Sequence, residues 1–381
     1  MKEITYEELL KMPKDSYELI DIRDEGLVLY GMIPGAVNIS LEELEDENNT
    51  KIESISKDKI LVLYCQIGRR SRDIDGLPCL MERECYSLEG GYVGYVSSRN
   101  RDTENREKRQ KKAEESIQKK YHKQLFSPFA RACKTYQLIE EGDHITVCIS
   151  GGKDSMLMAK LFQEIQKHKK VNFELTFLVM DPGYNKENRE LIESNAKALG
   201  IPITIFESTI FDAVDTIEKN PCYICARMRR GYLYKKAKEL GCNKIALGHH
   251  YDDVIETILM GMLYGGQFQT MMPKLHSNNF EGMELIRPMY LIRESDICAW
   301  RDYNELHFLQ CACHFTDTCT TCHEDGTTSS KRLETKKLIA KLKEENPFVE
   351  ANIFKSVENV NLSTIVAYKK DGVRHSFLDE Y

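Results

Sequence analysis

The sequence lacks the features that would assign a protein to a membrane, to secretion or to nucleic acid by composition alone. No apolar run approaches the roughly 18 residues that cross a bilayer, and the start, MKEITYEELL, has no charged-then-apolar signal pattern. The net charge is −7, so nucleic-acid binding would have to be local rather than global. With 41% hydrophobic and 30% charged residues, we expect a globular cytoplasmic protein that does not contact membranes.

Length and cysteine content are the first positive indications. The 381 residues are enough for two or three domains of usual size. Thirteen cysteines are many for a cytoplasmic chain. In a reducing compartment, clustered cysteines more often serve metal or thiol chemistry than disulfide bonds. The cysteines therefore favour a metal or sulfur function.

Composition divides the chain into three segments. Residues 1–98 read as a small α/β domain, in which ELIDIR (Glu18–Arg23) and ILVLYC (Ile60–Cys65) are predicted buried parallel strands. Residues 99–117 are predicted to be a charged linker. The stretch from Arg99 to Lys123 carries ten Lys or Arg and five Asp or Glu, with almost no apolar residues. It is either a linker or solvated helix, or a segment that helps to steer RNA.

Residues 118–381 form the third segment, which alternates strand and helix patterns. The short apolar stretches HITVCIS, FELTFLVMD, IPITIFES and KIALGHH are separated by helical stretches such as NRELIESNAKALG. That alternation predicts a parallel sheet covered on both faces, so the whole chain belongs to the α/β class. Ligands bind such sheets at the carboxyl ends of the strands, where we expect Ser150, Asp181 and His249.

The first segment carries a cysteine directly after a predicted buried strand. Backbone N–H groups of the following loop and two nearby arginines would stabilise a thiolate at Cys65. A buried structural cysteine is the alternative. The loop residues are Cys65, Gln66, Ile67, Gly68, Arg69 and Arg70.

The surroundings of this loop resemble a rhodanese over about 95 residues. The matching stretches are DIRDEGLVLYGMIPGAVNIS, the Cys65–Arg70 loop and LEGGYVGY. The resemblance implies that Cys65 carries a persulfide and passes on its outer sulfur. The chain departs from the family at Met32, where a His is usual, and in DIDGLPCLM after the loop. Cys79 and Cys85 are predicted core residues.

A second loop, SGGKDS (Ser150–Ser155), joins a predicted strand to a predicted helix, the usual layout of a phosphate site. Its spacing is not that of the Walker loop. It resembles instead the PP-loop of ATP pyrophosphatases, which grips the pyrophosphate that leaves when an oxygen attacks the α-phosphorus. Glycines at 151 and 152 allow close backbone approach, and Lys153 would neutralise the leaving group. The residues predicted to bind ATP are Ser150, Gly151, Gly152, Lys153, Asp154 and Ser155.

The stretch GHHYDDVIET places Asp252 and Asp253 at the start of a predicted helix. Such carboxylates could help to hold Mg²⁺, which usually takes one or two carboxylates together with substrate phosphates. His249 and His250 could act in catalysis or make only structural hydrogen bonds.

Two groups of cysteines lie in the third segment. PCYICARMRRG contains Cys222 and Cys225, followed by Arg227, Arg229 and Arg230, and CACHFTDTCTTCHEDG contains Cys311, Cys313, Cys319 and Cys322. A C-x-x-C pair is compatible with zinc, a redox pair or a cluster.

With SGGKDS, GHHxDDxxET and LIRPMYLIRESDI, these stretches resemble the tRNA 2-thiocytidine synthetase group of PP-loop proteins over most of residues 118–365. The fold that the resemblance implies is an adenine nucleotide alpha hydrolase-like sheet. It implies a [4Fe–4S] cluster held by Cys222, Cys225 and a third cysteine, assigned to Cys322, with Cys311, Cys313 and Cys319 as the alternatives for that position. Cys319 and Cys322 could alternatively bind zinc with Cys311 and Cys313.

The resemblance also implies a reaction. ATP and Mg²⁺ would bind SGGKDS. The C2 oxygen of a tRNA cytidine, at position 32, would be adenylated, and sulfur would then replace AMP. Cys65 would supply sulfur loaded by a cysteine desulfurase, Lys153 and Asp154 would act in activation, and Arg227, Arg229 and Arg230 would contact tRNA phosphates. A homodimer is implied as well. Open alternatives are thiolation of another nucleoside or a small molecule, a sulfur or redox sensor without turnover, and a rhodanese acting alone.

Overall fold

The computed structural model describes residues 1–28, 31–46, 50–101, 103–208, 210, 221–309, 331–379 and 381, of which 101, 103–105 and 221–226 are described by backbone alone. The chain divides into two compact units. The larger comprises Met1–His249 and Pro273–Thr328, and the smaller comprises His250–Met272 and Ser329–Tyr381.

The first sheet of the larger unit has five parallel strands in the order β1-β5-β4-β2-β3. The central strand is fully buried from Leu61 to Tyr64, which explains its continuous apolar run. Both predicted strands are confirmed, β2 and β4 each ending one or two residues earlier than expected. The strands are β1 (Lys2–Ile4), β2 (Tyr17–Asp21), β3 (Val37–Asn38), β4 (Ile60–Tyr64) and β5 (Cys85–Leu88). Short helices connect them: α1 (Tyr6–Leu9), α2 (Glu25–Val28), α3 (Leu41–Glu45) and α4 (Arg70–Asp73).

The second sheet has six strands in the order β10-β11-β9-β6-β7-β8, and only the β10–β11 pairing is antiparallel. The parallel sheet is confirmed, whereas the antiparallel edge was not expected. The strands are β6 (His144–Ile149), β7 (Glu174–Asp181), β8 (Ile203–Glu207), β9 (Lys244–Ala246), β10 (Lys274–His276) and β11 (Glu284–Ile286). The chain runs outward from β6 through β7 to β8 on one side and through β9 to β11 on the other. The switch point between β6 and β9 is where such sheets bind ligands.

Two helices join the sheets, α5 (Gly91–Arg101) and α6 (Thr103–Gln118). The expected linker at 99–117 is therefore helical, and its far end is packed rather than solvated. Ala113 and Ile117 are buried in the core, and the Ser116 hydroxyl accepts hydrogen bonds from Trp300 Nε1 and Asn304 Nδ2, both at 3.1 Å. Glu107, Lys108, Lys111 and Lys112 are exposed on the other side of α6, as its composition predicts.

The remaining helices of the larger unit surround the second sheet. They are a π-helical turn (His122–Phe126), α7 (Ser127–Thr135), α8 (Lys153–Lys167), α9 (Lys186–Ala198), α10 (Pro221–Glu239) and, in the residues after β11, α12 (Glu294–Tyr303). Helix α5 packs on α9, and Asn100 Nδ2 donates to Asn195 Oδ1 at 2.9 Å. The first domain is thus docked on the second.

The smaller unit contains α11 (Tyr251–Gly265), α13 (Lys331–Glu345) and α14 (Val349–Ser356), followed by a hairpin of β12 (Ala367–Lys370) and β13 (Val373–Ser376). Tyr251 of α11 stacks on Phe354 of α14, with ring centroids 4.4 Å apart. Within the ranges that the structure describes, no helix is long and apolar enough to cross a membrane.

Candidate active site

The SGGKDS loop closes on a single hydroxyl. The chain leaves β6 at Ile149, turns through Ser150 to Gly152 and enters α8 at Lys153. Ser155 Oγ accepts hydrogen bonds from the backbone N–H of Ser150 at 3.1 Å and from its hydroxyl at 3.2 Å, and it donates to the carbonyl of Gly152 at 3.0 Å. Ser155 is buried, so these bonds hold the loop in one shape.

The loop needs its first glycine for two reasons. Gly151 has a φ of +86°, and a Cβ built on it would lie 2.6 Å from Ile192 Cγ1. Gly152 is the N-cap of α8 and contributes no side-chain cap. The first N–H groups of this helix are therefore suited to bind an anion, which the helix dipole also favours.

The amine of Lys153 lies between two carboxylates. It donates to Asp154 Oδ2 at 3.2 Å and to Glu294 Oε1 at 3.1 Å. Burial by itself lowers the pKa of Lys153, but the charges of Asp154 and Glu294 outweigh burial and raise it above its usual value. Lys153 is thus a fixed positive charge at the loop, suited to a phosphate oxygen.

Glu294 is a site residue that the sequence analysis did not assign. It is the first residue of α12 and belongs to the LIRESDI stretch. It lies 141 positions from Lys153 in the chain, so only the tertiary structure shows the contact. The sequence did contain an indication of this role, because Glu294 is an acidic residue at the start of a helix and within the LIRESDI motif.

The GHH stretch reaches the same loop from β9. A Cβ on Gly248 would lie 3.3 Å from the carbonyl carbon of Asp154 and 3.3 Å from the nitrogen of Ser155. The structure therefore places Gly248 against the SGGKDS loop at the carboxyl edge of the sheet. Asp181 lies at the end of β7 as expected. Its Oδ1 accepts the N–H groups of Gly183 and Tyr184 at 2.9 and 2.7 Å, so it shapes the next turn.

The acidic pair lies in the smaller unit, at the start of α11. His250 is the N-cap: its Nδ1 accepts the N–H of Asp253 at 3.4 Å, and Asp253 Oδ2 accepts the N–H of His250 at 3.0 Å. This supports the structural alternative for His250. Asp253 Oδ1 also pairs with Arg332. Two carboxylates suit Mg²⁺, but a role for Asp252 and Asp253 in metal binding stays a prediction, and Asp253 would have to exchange Arg332 for the ion.

The loop after β4 in the first domain is held by a pair of glycines. Cys65 is 5% exposed. Its carbonyl accepts the N–H of Tyr92 at 3.0 Å, and the carbonyl of Gln66 accepts the N–H of Val93 at 3.0 Å. A Cβ on Gly91, whose φ is +57°, would clash with the Cys65 carbonyl and lie 2.6 Å from the nitrogen of Gly68. The LEGGYVGY stretch therefore packs directly on the thiol loop.

The thiol has a polar neighbour, and a buried ion pair supports the loop that carries it. The Ser71 hydroxyl is 3.7 Å from Cys65 Sγ. Arg23 forms a buried salt bridge with Asp21 at 2.6 Å and donates to Gln66 Oε1 at 3.1 Å. The DIR stretch of the resemblance therefore braces the loop from the strand beside it.

The other two cysteines of this domain are placed as expected. Cys79 and Cys85 are partly buried and pack against the core. Burial raises the pKa of both thiols, that of Cys85 to about 11. Neither is therefore prepared to form a thiolate near neutral pH.

The expected cluster ligands lie mostly outside the description. Cys222 and Cys225 are three residues apart on α10, which is described there by backbone only, and Cys311, Cys313, Cys319 and Cys322 lie outside the described residues. Within the described part, no group of three His, Cys, Asp or Glu could hold a metal. The arginines that follow on α10 are accessible: Arg227 and Arg230 are exposed, and Arg229 is half-buried.

Comparison with known proteins matches both domains. A PP-loop domain model matches residues 114–313, and a rhodanese-like domain model matches residues 5–98. The tRNA-cytidine(32) 2-sulfurtransferase of Syntrophotalea carbinolica is 34% identical over 60% of this chain and 86% of its own. That of Geotalea uraniireducens is 35% identical over 60% of this chain and 88% of its own.

Among solved structures, the U34-tRNA thiolase NcsA from Methanococcus maripaludis, with its [4Fe-4S] cluster, is 22% identical with a TM-score of 0.48. The match covers 61% of this chain and 76% of that chain. The sequence matches and the loop geometry agree on the assignment of the second domain. The chain belongs to the PP-loop family that includes the tRNA-cytidine(32) 2-sulfurtransferases, and it carries a rhodanese-like domain ahead of its PP-loop domain.

Proposed function

We propose that this protein is an ATP-dependent tRNA thiolating enzyme of the cytoplasm that makes 2-thiocytidine at position 32, the position named in its relatives. The observation that carries the proposal is the SGGKDS loop, which is closed around Ser155, opens a helix and holds a charged lysine. Such a loop is suited to pyrophosphate as a leaving group. A sulfur-carrier domain docked beside it supports thiolation over amination or ligation.

In the activation step, the C2 oxygen of the cytidine attacks the α-phosphorus of ATP, and pyrophosphate leaves. Backbone N–H groups at the start of α8 and the Ser150 hydroxyl hold the pyrophosphate oxygens. Lys153 exchanges its carboxylate partners for these oxygens and neutralises the charge that develops on them. Asp154 and Glu294 hold Lys153 in place before ATP arrives. Mg²⁺ bound with the phosphates would supply further neutralisation, and Asp252 and Asp253 are the ligands that the sequence predicts for it.

In the sulfur step, a sulfur nucleophile replaces AMP at C2. Cys65 receives its outer sulfur from a cysteine desulfurase or another donor and carries it as a persulfide. Release of that sulfur as sulfide consumes two electrons, which a cellular thiol supplies. Cys222, Cys225 and Cys322 would hold the [4Fe–4S] cluster, which when bound offers a site for the sulfide. This ligand set is the one that the resemblance to the tRNA-thiolating PP-loop proteins implies.

The tRNA is held by its phosphates. Arg227 and Arg230 are exposed on α10, one helical turn apart, and Arg229 lies between them. Neutralising phosphates with arginines releases counterions, so tRNA affinity should fall as salt rises.

The activation step is tested with purified cluster-loaded protein by measuring pyrophosphate released from ATP with and without tRNA. We expect release to depend on tRNA and to fall by about 100-fold or more in Lys153→Ala, the scale of losing one transition-state charge contact. Lys167→Ala, at the other end of the same helix and exposed, is the matched control. Pyrophosphate release that ignores tRNA, or an unaffected Lys153→Ala, would contradict the proposal.

A further inference from the structure

A short segment connects the ATP loop with the rhodanese-like domain. The residues Leu306–Leu309, here called the bridging segment, follow α12. At one position His307 Nδ1 is 2.6 Å from the hydroxyl of Tyr92 in the rhodanese-like domain. Two residues later, the N–H of Leu309 donates to the carbonyl of Gly151 in the ATP loop at 3.2 Å. The bridging segment therefore contacts the ATP loop directly and, in the rhodanese-like domain, the Tyr92 side chain.

On the rhodanese-like side, Tyr92 is part of the support of the thiol loop. Its N–H donates to the Cys65 carbonyl. The guanidinium carbon of Arg23 lies over its ring, 3.9 Å from the ring centroid. Arg23 in turn donates to Gln66 Oε1. Tyr92 thus contacts the thiol loop through its backbone and through Arg23, and contacts the other domain through its hydroxyl.

On the PP-loop side, the bridging segment is held firmly. The carbonyl of His307 accepts a hydrogen bond from Asn195 Nδ2 at 2.9 Å. Leu306, Phe308 and Leu309 are buried in the core. The backbone of the bridging segment is thus fixed by its own contacts, so that replacing the His307 side chain leaves Leu309 and Gly151 in place.

The approach at this contact is close enough to require glycine. Gly31, with a φ of +126°, would place a Cβ 2.6 Å from His307 Nδ1 and into the Tyr92 hydroxyl. The two side chains also have complementary protonation. Burial lowers the pKa of His307 to about 4, and the positive charges of Arg99, Arg301 and Arg23 add to this effect. The imidazole ring is therefore neutral at neutral pH and keeps a nitrogen that can accept a hydrogen bond. Burial raises the pKa of Tyr92, whose hydroxyl stays protonated and donates.

We propose that Tyr92 and His307 are positioning residues that fix the thiol loop relative to the ATP loop, and that this docking is needed for sulfur on Cys65 to reach the activated base. The proposal rests on the proposed function. A fixed pose keeps the donor at high effective concentration beside the acceptor without the ordering cost of a swinging domain. Neither half-reaction alone needs the contact.

The test uses cluster-loaded protein with tRNA and ATP in three assays: thiocyanate formation from thiosulfate and cyanide, tRNA thiolation with free sulfide, and tRNA thiolation with thiosulfate as the sole sulfur source and a thiol reductant. In Tyr92→Phe and His307→Leu, we expect only the third rate to fall, by about ten-fold, the scale of one buried hydrogen bond. His307→Asn keeps a polar atom near the Nδ1 position and should recover most of that rate. Tyr86→Phe, which loses a hydroxyl bonded to Glu84 elsewhere in the same domain, is the matched control.

Equal thiosulfate-supported thiolation in all variants would overturn the proposal, as would a parallel fall in the sulfide-supported rate, because that would mean general damage. Additive effects of Tyr92→Phe and His307→Leu would show that the two residues do not act as a pair. If wild type makes no thionucleoside from free sulfide, the proposed function fails instead. Amide hydrogen exchange then still tests the docking of the two domains. The exchange rate of peptides from α9 should rise in Tyr92→Phe but not in Tyr86→Phe, and an unchanged rate in Tyr92→Phe refutes the proposal.

Discussion

Acidification should weaken the protein through one histidine. His307 in the folded protein has its pKa lowered to about 4, against an ordinary value of 6.5, because it is buried and faces Arg99, Arg301 and Arg23, whose effect Glu305 partly opposes. Below pH 6.5 the unfolded chain takes up a proton at this residue, whereas the folded chain resists until about pH 4. The contribution of His307 to the free energy of unfolding is therefore complete above pH 7 and is lost as the pH falls from 6.5 to about 4.

The size of the effect follows from the two pKa values. At pH 5 the unfolded chain is almost fully protonated at His307 and the folded chain is almost fully neutral, which corresponds to a loss of about 2 kcal/mol relative to pH 7.5. Other groups titrate in the same range. The useful quantity is therefore the difference between wild type and His307→Asn, which cannot titrate but keeps a polar atom toward Tyr92.

The assay is urea unfolding of both proteins at pH 7.5 and pH 5. We expect the free energy of unfolding of wild type to fall by about 2 kcal/mol more than that of His307→Asn. Parallel losses in the two proteins would show that His307 is not held neutral by burial. A larger loss in the variant would refute the reasoning outright.

Two glycine substitutions should separate the activities of the domains. Gly151→Ala should reduce tRNA-dependent pyrophosphate release by about ten-fold or more, because the positive φ of this position disfavours alanine and the new methyl group would collide with Ile192. Thiocyanate formation should stay at the wild-type rate. Gly91→Ala should have the opposite effect, because its methyl group would displace the Cys65 carbonyl. Circular dichroism checks that each variant is folded, and loss of both activities in either variant would contradict the separation.

Local patterns were sufficient to predict the two sheets and the main loops. Buried strands such as β4 and β6 read as continuous apolar runs, and their ends place Cys65 and Ser150 within a residue or two. The glycines of SGGKDS have a backbone reason that sequence reasoning can state in advance: one of them, Gly151, has a positive φ. These features depend on neighbours in the chain.

Features that depend on distant residues could not be predicted. The contact of Lys153 with Glu294 spans 141 positions, and that of Tyr92 with His307 spans 215. No local pattern encodes which side chains the fold brings together over such separations. The buried face of α6 could have been predicted, because Ala113 and Ile117 are spaced four residues apart within the charged run. The high charge of the whole segment favoured a solvated linker instead.

The proposed tRNA thiolation is most directly tested by nucleoside mass spectrometry of tRNA from cells with and without this protein. We predict that 2-thiocytidine disappears in the deletion, returns with wild type, and does not return with Cys222→Ala or Lys153→Ala. Cys65→Ala would then show whether the rhodanese-like domain is the required donor. Unchanged 2-thiocytidine in the deletion would contradict the account, and loss of a different thionucleoside would keep the chemistry but change the substrate.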